Sequence, residues 1–245
     1  MPLRVIALAI AAALAGCVTI TSSSIGTFAG VLPCADCAGI LTELRLFEEQ
    51  PSGRAARYEL TEAHLGARDG GGSIGTTNRW AILRGSAGDG NATVVQLDLG
   101  RIDARKNFLR AGDDELRLLD RNLREILPKT PHSLFRVSEL PPLTLLESDS
   151  GQTIEVERGQ RVFVVLGANR ATGYDWTLEG FGPGPLISLG GPVYAQEAAT
   201  LGAGGTVIWF FAASRSGKQE LVFQYRRPSE QARPAKTVSY TVAVR

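Results

Sequence analysis

Short stretches of alternating apolar and polar residues, separated by glycine-rich turns, dominate this chain of 245 residues. Residues 93–99 alternate cleanly, and residues 237–244 place four apolar side chains on one face. Such a two-residue period is typical of β-strands with one buried face. Helical periodicity is almost absent, and turn signals such as Gly88-Asp89-Gly90 recur between the stretches. The sequence therefore predicts an all-β protein built from barrels or sandwiches.

A stretch rich in proline divides the strand pattern into two halves. Four prolines lie within it: Pro128, Pro131, Pro141 and Pro142. Proline interrupts regular strand pairing, and the chain length suits two domains of roughly 100 residues each. We therefore predict a first domain at 27–137, a linker at 138–150 and a β-sandwich at 151–245. In the sandwich, residues 162–166 and 207–211 are typical of strands buried on both faces.

The N-terminus carries the pattern of an exported protein. Arg4 precedes an apolar run at residues 5–14, which matches a secretory signal peptide and is too short for a membrane-spanning helix. Leu14-Ala15-Gly16-Cys17 resembles a bacterial lipobox, although an ordinary signal peptide followed by a chance cysteine is the alternative. We predict a signal peptide at 1–16, lipidation of Cys17 and a flexible tether at 17–26.

The residue after the predicted lipid anchor bears on location. Val18 follows Cys17, whereas an aspartate at this position marks inner-membrane retention in enteric bacteria. The sequence therefore predicts a lipoprotein of the cell envelope, held in the outer membrane and facing the periplasm.

Two cysteines remain once Cys17 is assigned to lipid. Cys34 and Cys37 form an even pair in an oxidising compartment, which favours a disulfide. A thioredoxin-like site would need a βαβ pattern around the pair, and none is present. A zinc site would need further ligands, and His64 and His132 stand at no helpful sequence spacing. We predict a disulfide that staples a turn, with no metal and no cofactor, and leave a redox-sensing role open.

Several functional classes receive no support from the sequence. The 26 basic and 25 acidic residues give a net charge of +1, so no field directs the chain to nucleic acid. Gly70, Gly72 and Gly75 match a nucleotide-binding pattern, but no strand leads into it and no helix follows. Two histidines without a neighbouring nucleophile make no catalytic constellation. We therefore do not expect an enzyme.

Three loops of the second half carry the strongest functional signal. The residues are Asn169, Arg170, Ala171, Thr172, Gly173 and Tyr174; Gly202, Ala203, Gly204 and Gly205; and Arg227, Pro228 and Ser229. In order and spacing they resemble the chagasin family of cysteine-protease inhibitors, which presents an Asn-Pro-Thr-Thr-Gly loop, a glycine-rich loop and an Arg-Pro-Trp loop. The resemblance implies an immunoglobulin-like sandwich and reversible inhibition of papain-like cysteine proteases.

The resemblance also implies a role for each loop. The backbone around Thr172 would lie against the catalytic cysteine of the protease, and Gly173 would allow the close approach. The glycine-rich loop would lie along the substrate groove, and Arg227 with Pro228 would begin the third contact. No covalent bond would form.

This chain departs from the family pattern at three positions. Arg170 replaces the family proline, Ala171 replaces the first threonine, and Ser229 replaces the tryptophan. Tryptophan is a typical hot-spot residue whose loss costs about 2 kcal/mol or more. We therefore expect inhibition with weaker affinity or altered selectivity.

The first half resembles a second family. Residues 30–40, with the phrase Leu-Pro-Cys-Ala-Asp-Cys, and residues 116–121 are similar to the N-terminal domain of NlpE, a lipoprotein linked to envelope stress and copper resistance. The resemblance implies a small antiparallel β-barrel. Two hypotheses follow: a lipid-anchored protease inhibitor, or a stress or copper-related sensor whose sandwich is a non-inhibitory interaction module.

Overall fold

The computed structural model describes residues 21–67, 72–100, 105–126, 132–196, 203–227 and 233–245. Strands dominate these ranges, with 3₁₀ turns at Glu147–Asp149 and Arg170–Thr172. None of the helices in the described ranges is long and apolar enough to cross a membrane. The strands form two units, a closed barrel followed by two packed sheets, which confirms the predicted all-β class.

The first unit is an eight-stranded barrel in which every neighbouring pair runs antiparallel. Its strands are β1 (Thr21–Leu32), β2 (Gly39–Gln50), β3 (Arg54–Leu65), β4 (Ser73–Arg84), β5 (Thr93–Leu97), β6 (Asn107–Arg110), β7 (Glu115–Leu119) and β8 (Ser133–Val137). The last strand pairs with β1 and closes the barrel, so no strand edge is left open. The antiparallel barrel predicted for this half is confirmed.

Side chains that alternate inward fill the barrel. Leu44 and Leu60 face each other across β2 and β3, and both are buried. Trp80 is also buried, and its indole nitrogen donates a hydrogen bond to the Phe47 carbonyl oxygen at 2.7 Å. An eight-stranded barrel is just wide enough for such side chains to fill it.

The second unit is a sandwich of two sheets. Its strands are β9 (Leu143–Leu146), β10 (Thr153–Val156), β11 (Arg161–Ala168), β12 (Asp175–Glu179), β13 (Leu186–Ser188), β14 (Val193–Gln196), β15 (Gly205–Ala213), β16 (Gly217–Arg226) and β17 (Lys236–Val244). One sheet has the order β10-β17-β16-β12, and the other has β13-β15-β11-β9 with β14 also paired to β15. The predicted sandwich is confirmed.

The core of the sandwich lies between its sheets. Trp209 of β15 packs on Phe223 of β16, with ring centroids 4.7 Å apart. Burial raises the pKa of Tyr240. Its hydroxyl therefore stays protonated, and it donates to the Leu146 carbonyl oxygen at 2.8 Å.

Two predicted boundaries differ from the structure. The segment 17–26 was expected to be a flexible tether, but β1 begins at Thr21, which pairs with Gln50 of β2. Threonine and serine fit an extended strand when a partner supplies the backbone hydrogen bonds. The segment 138–150 was expected to be a linker, but Leu143–Leu146 is a strand that pairs parallel to β11. The strand is short and follows prolines, so its alternating apolar residues do not identify it as a strand from the sequence alone.

The barrel and the sandwich pack directly against each other. An apolar cluster joins Ala29, Val31 and Val137 of the barrel to Leu189, Val193, Phe210 and Ala212 of the sandwich. The Val31 amide donates to the Leu189 carbonyl oxygen at 2.6 Å, and Glu43 pairs with Arg161. A Cβ at Gly190 would lie 2.6 Å from the Cβ of Val31, so only glycine permits this approach.

This contact explains the burial of β15 on both faces. Trp209 and Phe211 point into the sandwich core, whereas Phe210 points toward the barrel. The prediction that residues 207–211 are buried on both faces is therefore confirmed, and the cover on the second face is the barrel.

Candidate functional site

The first loop joins β11 to β12 and is locked as a 3₁₀ turn at Arg170–Thr172. The Asn169 side chain accepts a hydrogen bond from the Ala171 amide at 3.1 Å. The Thr172 hydroxyl donates to the Asn169 carbonyl oxygen at 2.6 Å. Gly173 ends the turn with a φ of 80°, a left-handed conformation that favours glycine. These contacts lie within the loop itself and hold its conformation.

Three aromatic side chains pack under this loop, and we call Tyr174, Tyr225 and Trp176 the aromatic platform. Tyr174 packs on Tyr225 with ring centroids 5.4 Å apart, and Tyr225 packs on Trp176 at 5.0 Å. The Tyr225 hydroxyl accepts a hydrogen bond from the Asn169 amide at 3.1 Å. Trp176 is only 4% exposed and belongs to the core of the sandwich. The loop therefore rests on groups that are themselves packed.

The second loop is described only from Ala203 onward, and Gly202 lies outside the described residues. Gly205 pairs with Ala168, the residue just before the first loop, so the two loops leave the same end of the sheet. Gly205 is buried as the first residue of β15. A Cβ there would lie 2.5 Å from the Ala195 carbonyl oxygen and 2.8 Å from the Tyr194 ring. Gly205 therefore leaves no room for a side chain, and it offers no exposed contact to a partner.

The third loop begins at Arg227, directly after β16. The Arg227 guanidinium carbon lies 4.8 Å from the centre of the Tyr174 ring, a distance typical of a cation–π contact. A Cβ at Gly173 would lie 3.8 Å from the Arg227 Nε. Pro228 and Ser229 lie outside the described residues. The structure thus brings the start of the third loop against the first.

Together these residues form one exposed end of the sandwich. We call it the loop edge and define it as Arg170, Ala171, Thr172, Gly173 and Arg227, all exposed. Arg170 pairs with Asp175 at 2.9 Å and also lies 4.4 Å from the centre of the Tyr194 ring. The loop edge is therefore held in place by short contacts on both sides.

The two remaining cysteines form the predicted disulfide. Cys34 and Cys37 are bonded, with Cα atoms 5.3 Å apart. His64 stands beside them, and the three candidate ligand atoms lie within 4.8 Å of one another. The argument from sequence spacing missed this, because His64 pairs with Ile40 across β2 and β3. Cross-strand register brings it to the cysteines. Cys17, the predicted lipidation site, lies outside the described residues.

Two different families match the two halves of the chain. Residues 28–127 match the NlpE N-terminal domain. Residues 155–244 match the Chagasin family peptidase inhibitor I42. Both resemblances drawn from the sequence motifs are thereby confirmed.

A curated relative agrees with the first match. Lipoprotein NlpE of Escherichia coli (strain K12) is 30% identical over 153 residues, which cover 59% of this chain and 58% of that lipoprotein. The chain therefore spans less than two thirds of the relative's length.

Solved structures similar to this chain include three proteins. The cysteine protease inhibitor EhICP2 from Entamoeba histolytica is 19% identical, covers 44% of this chain and 99% of its own, and has a TM-score of 0.40. Amebosin is 26% identical, with coverages of 43% and 100% and a TM-score of 0.34. PbICP-C, solved in complex with falcipain-2, is 19% identical, with coverages of 44% and 96% and a TM-score of 0.33.

Proposed function

We propose that this protein is a lipid-anchored envelope lipoprotein whose sandwich reversibly inhibits papain-like cysteine proteases. The loop edge would enter the active-site cleft of the protease. The observation that carries the proposal is the packing of Gly173 and Tyr174 against Arg227 at one exposed end of the sandwich. The match of residues 155–244 to the chagasin family supports it.

The geometry of the first loop suits occlusion rather than cleavage. A protease cleaves a peptide that it holds extended, but this backbone is curled. The Thr172 amide donates to the Asn169 carbonyl oxygen at 3.1 Å, and the Gly173 amide donates to that of Arg170 at 3.0 Å. Gly173 carries no side chain, so the backbone approaches the catalytic cysteine closely. Because the turn is formed before binding, little conformational entropy is lost in the complex.

The departures from the family pattern modify this proposal. Where the family has a proline, Arg170 is tied to Asp175 at 2.9 Å, and the Asn169 side chain caps the turn. Of these two contacts, only the ion pair stands where a proline ring would restrain the turn, because Asn169 is also present in the family pattern. Ser229 supplies no aromatic anchor at the third loop, so we expect weaker inhibition than a tryptophan would give.

The anchor completes the proposal. Lipidation of Cys17 would hold the protein in the outer membrane, facing the periplasm, since several acyl chains on one residue give stable anchoring. The Cys17→Ser variant would then be recovered in the soluble fraction, whereas the unaltered chain would be recovered in the membrane fraction. Recovery of the unaltered chain in the soluble fraction would contradict the anchor.

A second candidate function rests on the first unit. The match of residues 28–127 to the NlpE N-terminal domain supports a stress or copper-related sensor. In that case the sandwich would be an interaction module, and the Cys34–Cys37 pair would report redox state. Unchanged envelope-stress signalling after replacement of both cysteines by serine would exclude the redox role.

An inhibition assay separates the two candidates. The Cys17→Ser chain is titrated against papain and a cathepsin L-type protease while hydrolysis of a fluorogenic peptide is followed. Saturable inhibition in the nanomolar to low micromolar range, lost when Thr172 and Gly173 are both replaced, supports the inhibitor. No inhibition by the folded chain at high micromolar concentration would favour the sensor.

A further inference from the structure

The barrel presents one of its loops beside the loop edge. We call residues 33–38, between β1 and β2, the disulfide loop. The apolar contact between barrel and sandwich fixes its position, because Val31 just before it and Gly39 just after it both approach the sandwich. A Cβ at Gly39 would lie 3.7 Å from a Val193 methyl group, and Val31 is hydrogen-bonded to Leu189. The disulfide loop therefore has a defined place relative to the sandwich.

Gly66 and Tyr194 connect the disulfide loop to the loop edge. A Cβ at Gly66 would lie 3.1 Å from the Tyr194 carbonyl oxygen and 3.3 Å from the Cβ of Ala38. The ring of the same tyrosine lies 4.4 Å from the Arg170 guanidinium carbon. The path from the disulfide loop to the loop edge thus runs from Ala38 past Gly66 to the backbone of Tyr194, and through the Tyr194 ring to Arg170.

The disulfide loop is both exposed and rigid. Pro33, Ala35, Asp36 and Ala38 are exposed to solvent. The Cys34–Cys37 bond closes the loop, and the Ala38 amide donates to the Leu65 carbonyl oxygen at 2.9 Å. While the disulfide is intact, a surface of this kind binds with little loss of conformational entropy.

A protein interface is wide enough to extend from the loop edge toward this loop. A stable interface covers about 800 Å² on each partner, a patch roughly 30 Å across. A patch of that width centred on the loop edge extends well past Tyr194. Building on the proposed function, we propose that the disulfide loop is a fourth contact with the same papain-like protease, on the protease surface beside its cleft.

Two matched substitutions in the full Cys17→Ser chain test this contact. Ala35→Arg places a long charged side chain on the disulfide loop. Ala87→Arg places the same side chain on the exposed turn between β4 and β5, which lies at the opposite end of the barrel because neighbouring strands alternate in direction. We expect Ala35→Arg to raise the inhibition constant against papain about tenfold. Ala87→Arg should leave it within twofold, with equal unfolding midpoints for both variants.

Hydrogen exchange gives a second readout that needs no substitution. Amides of residues 34–38 should exchange more slowly when papain is bound, whereas amides of residues 87–90 should not change. The fourth contact alone would be overturned if the chain inhibits papain equally with and without Ala35→Arg and amide exchange at residues 34–38 is not slowed. An unaltered chain that does not inhibit at all would overturn the proposed function and this contact together.

Discussion

Two exposed turns of this protein are held rigid in different ways. The disulfide loop is closed by a covalent bond between Cys34 and Cys37. The first loop of the sandwich is closed by hydrogen bonds that Asn169 accepts, by the left-handed Gly173 and by an aromatic platform. The covalent closure depends on the redox state of the compartment, whereas the other closure is made of noncovalent contacts that a reductant does not affect. The first loop should therefore keep its shape under the reducing conditions in which a cysteine protease is active.

The largest effect is expected from removing the platform. Trp176→Ala deletes a buried ring whose indole nitrogen donates to the Gly167 carbonyl oxygen at 2.8 Å. Truncating a buried tryptophan costs about 3–5 kcal/mol, so the free energy of unfolding of the sandwich should fall by that amount in a urea titration.

A matched change in the barrel tests whether the platform matters for binding. Trp80→Ala also removes a buried, hydrogen-bonded ring, but far from the loop edge. Under conditions in which both variants remain folded, only Trp176→Ala should weaken inhibition. Equal inhibition by the two variants would show that the platform does not hold the loop.

The next largest effect is expected at the end of the first loop. Gly173→Val forces a branched side chain into a φ of 80°, which costs about 1–3 kcal/mol of strain. In the proposed complex it would also put bulk where the backbone meets the protease. The inhibition constant should rise about a hundredfold, equivalent to about 2.8 kcal/mol.

The control for this change is Gly180→Val. Gly180 has a φ of 61°, is exposed, and has no atom within 4 Å of an added Cβ. The Gly180→Val variant should lose a similar amount of stability and still inhibit papain. A comparable loss of inhibition in both variants would attribute the effect to stability and not to the loop.

A smaller effect is expected from opening the disulfide loop. Replacing both Cys34 and Cys37 by serine releases a closed loop of sequence separation 3. Loop-closure entropy for so short a loop amounts to about 2 kcal/mol at most. The free energy of unfolding should fall by no more than that, with an unchanged urea dependence. A much larger loss would mean that the bond supports more of the barrel than its own turn.

The smallest effect is expected at the ion pair that restrains Arg170. Asp175→Asn removes the charge but keeps the oxygen that accepts from the Trp176 amide at 3.0 Å. Exposed ion pairs contribute about 0–1 kcal/mol, so inhibition should weaken by less than about fivefold, and less still at high salt. A tenfold loss that persists in high salt would show that this pair contributes more than its exposure suggests.

Much of the fold follows from local sequence pattern, and the exceptions have physical causes. The period-two alternation of residues 93–99 and 237–244 predicts strands, because the pleat alone sets that period. The start of β1 at Thr21 was missed, because hydroxyl-rich residues suit a tether as well as a strand. The strand Leu143–Leu146 was missed, because prolines precede it.

The candidate site was predictable only in part. The loop residues could be found because they are contiguous in sequence. The approach of His64 to the cysteines depends on the pairing of β2 with β3, which sequence spacing does not show. The contact of Val31 with Leu189 joins two units whose apolar residues look like ordinary core positions. For the same reason the link from Ala38 through Tyr194 to Arg170 could not be predicted from the sequence.

The mode of inhibition tests the central claim most directly. Initial rates of papain are measured with the Cys17→Ser chain at several concentrations of peptide substrate, and the chain is then checked for cleavage. If the loop edge occupies the cleft, the apparent inhibition constant rises linearly with substrate concentration, and the chain is recovered intact. An apparent constant that does not depend on substrate, or a chain cut between Arg170 and Tyr174, would contradict the account.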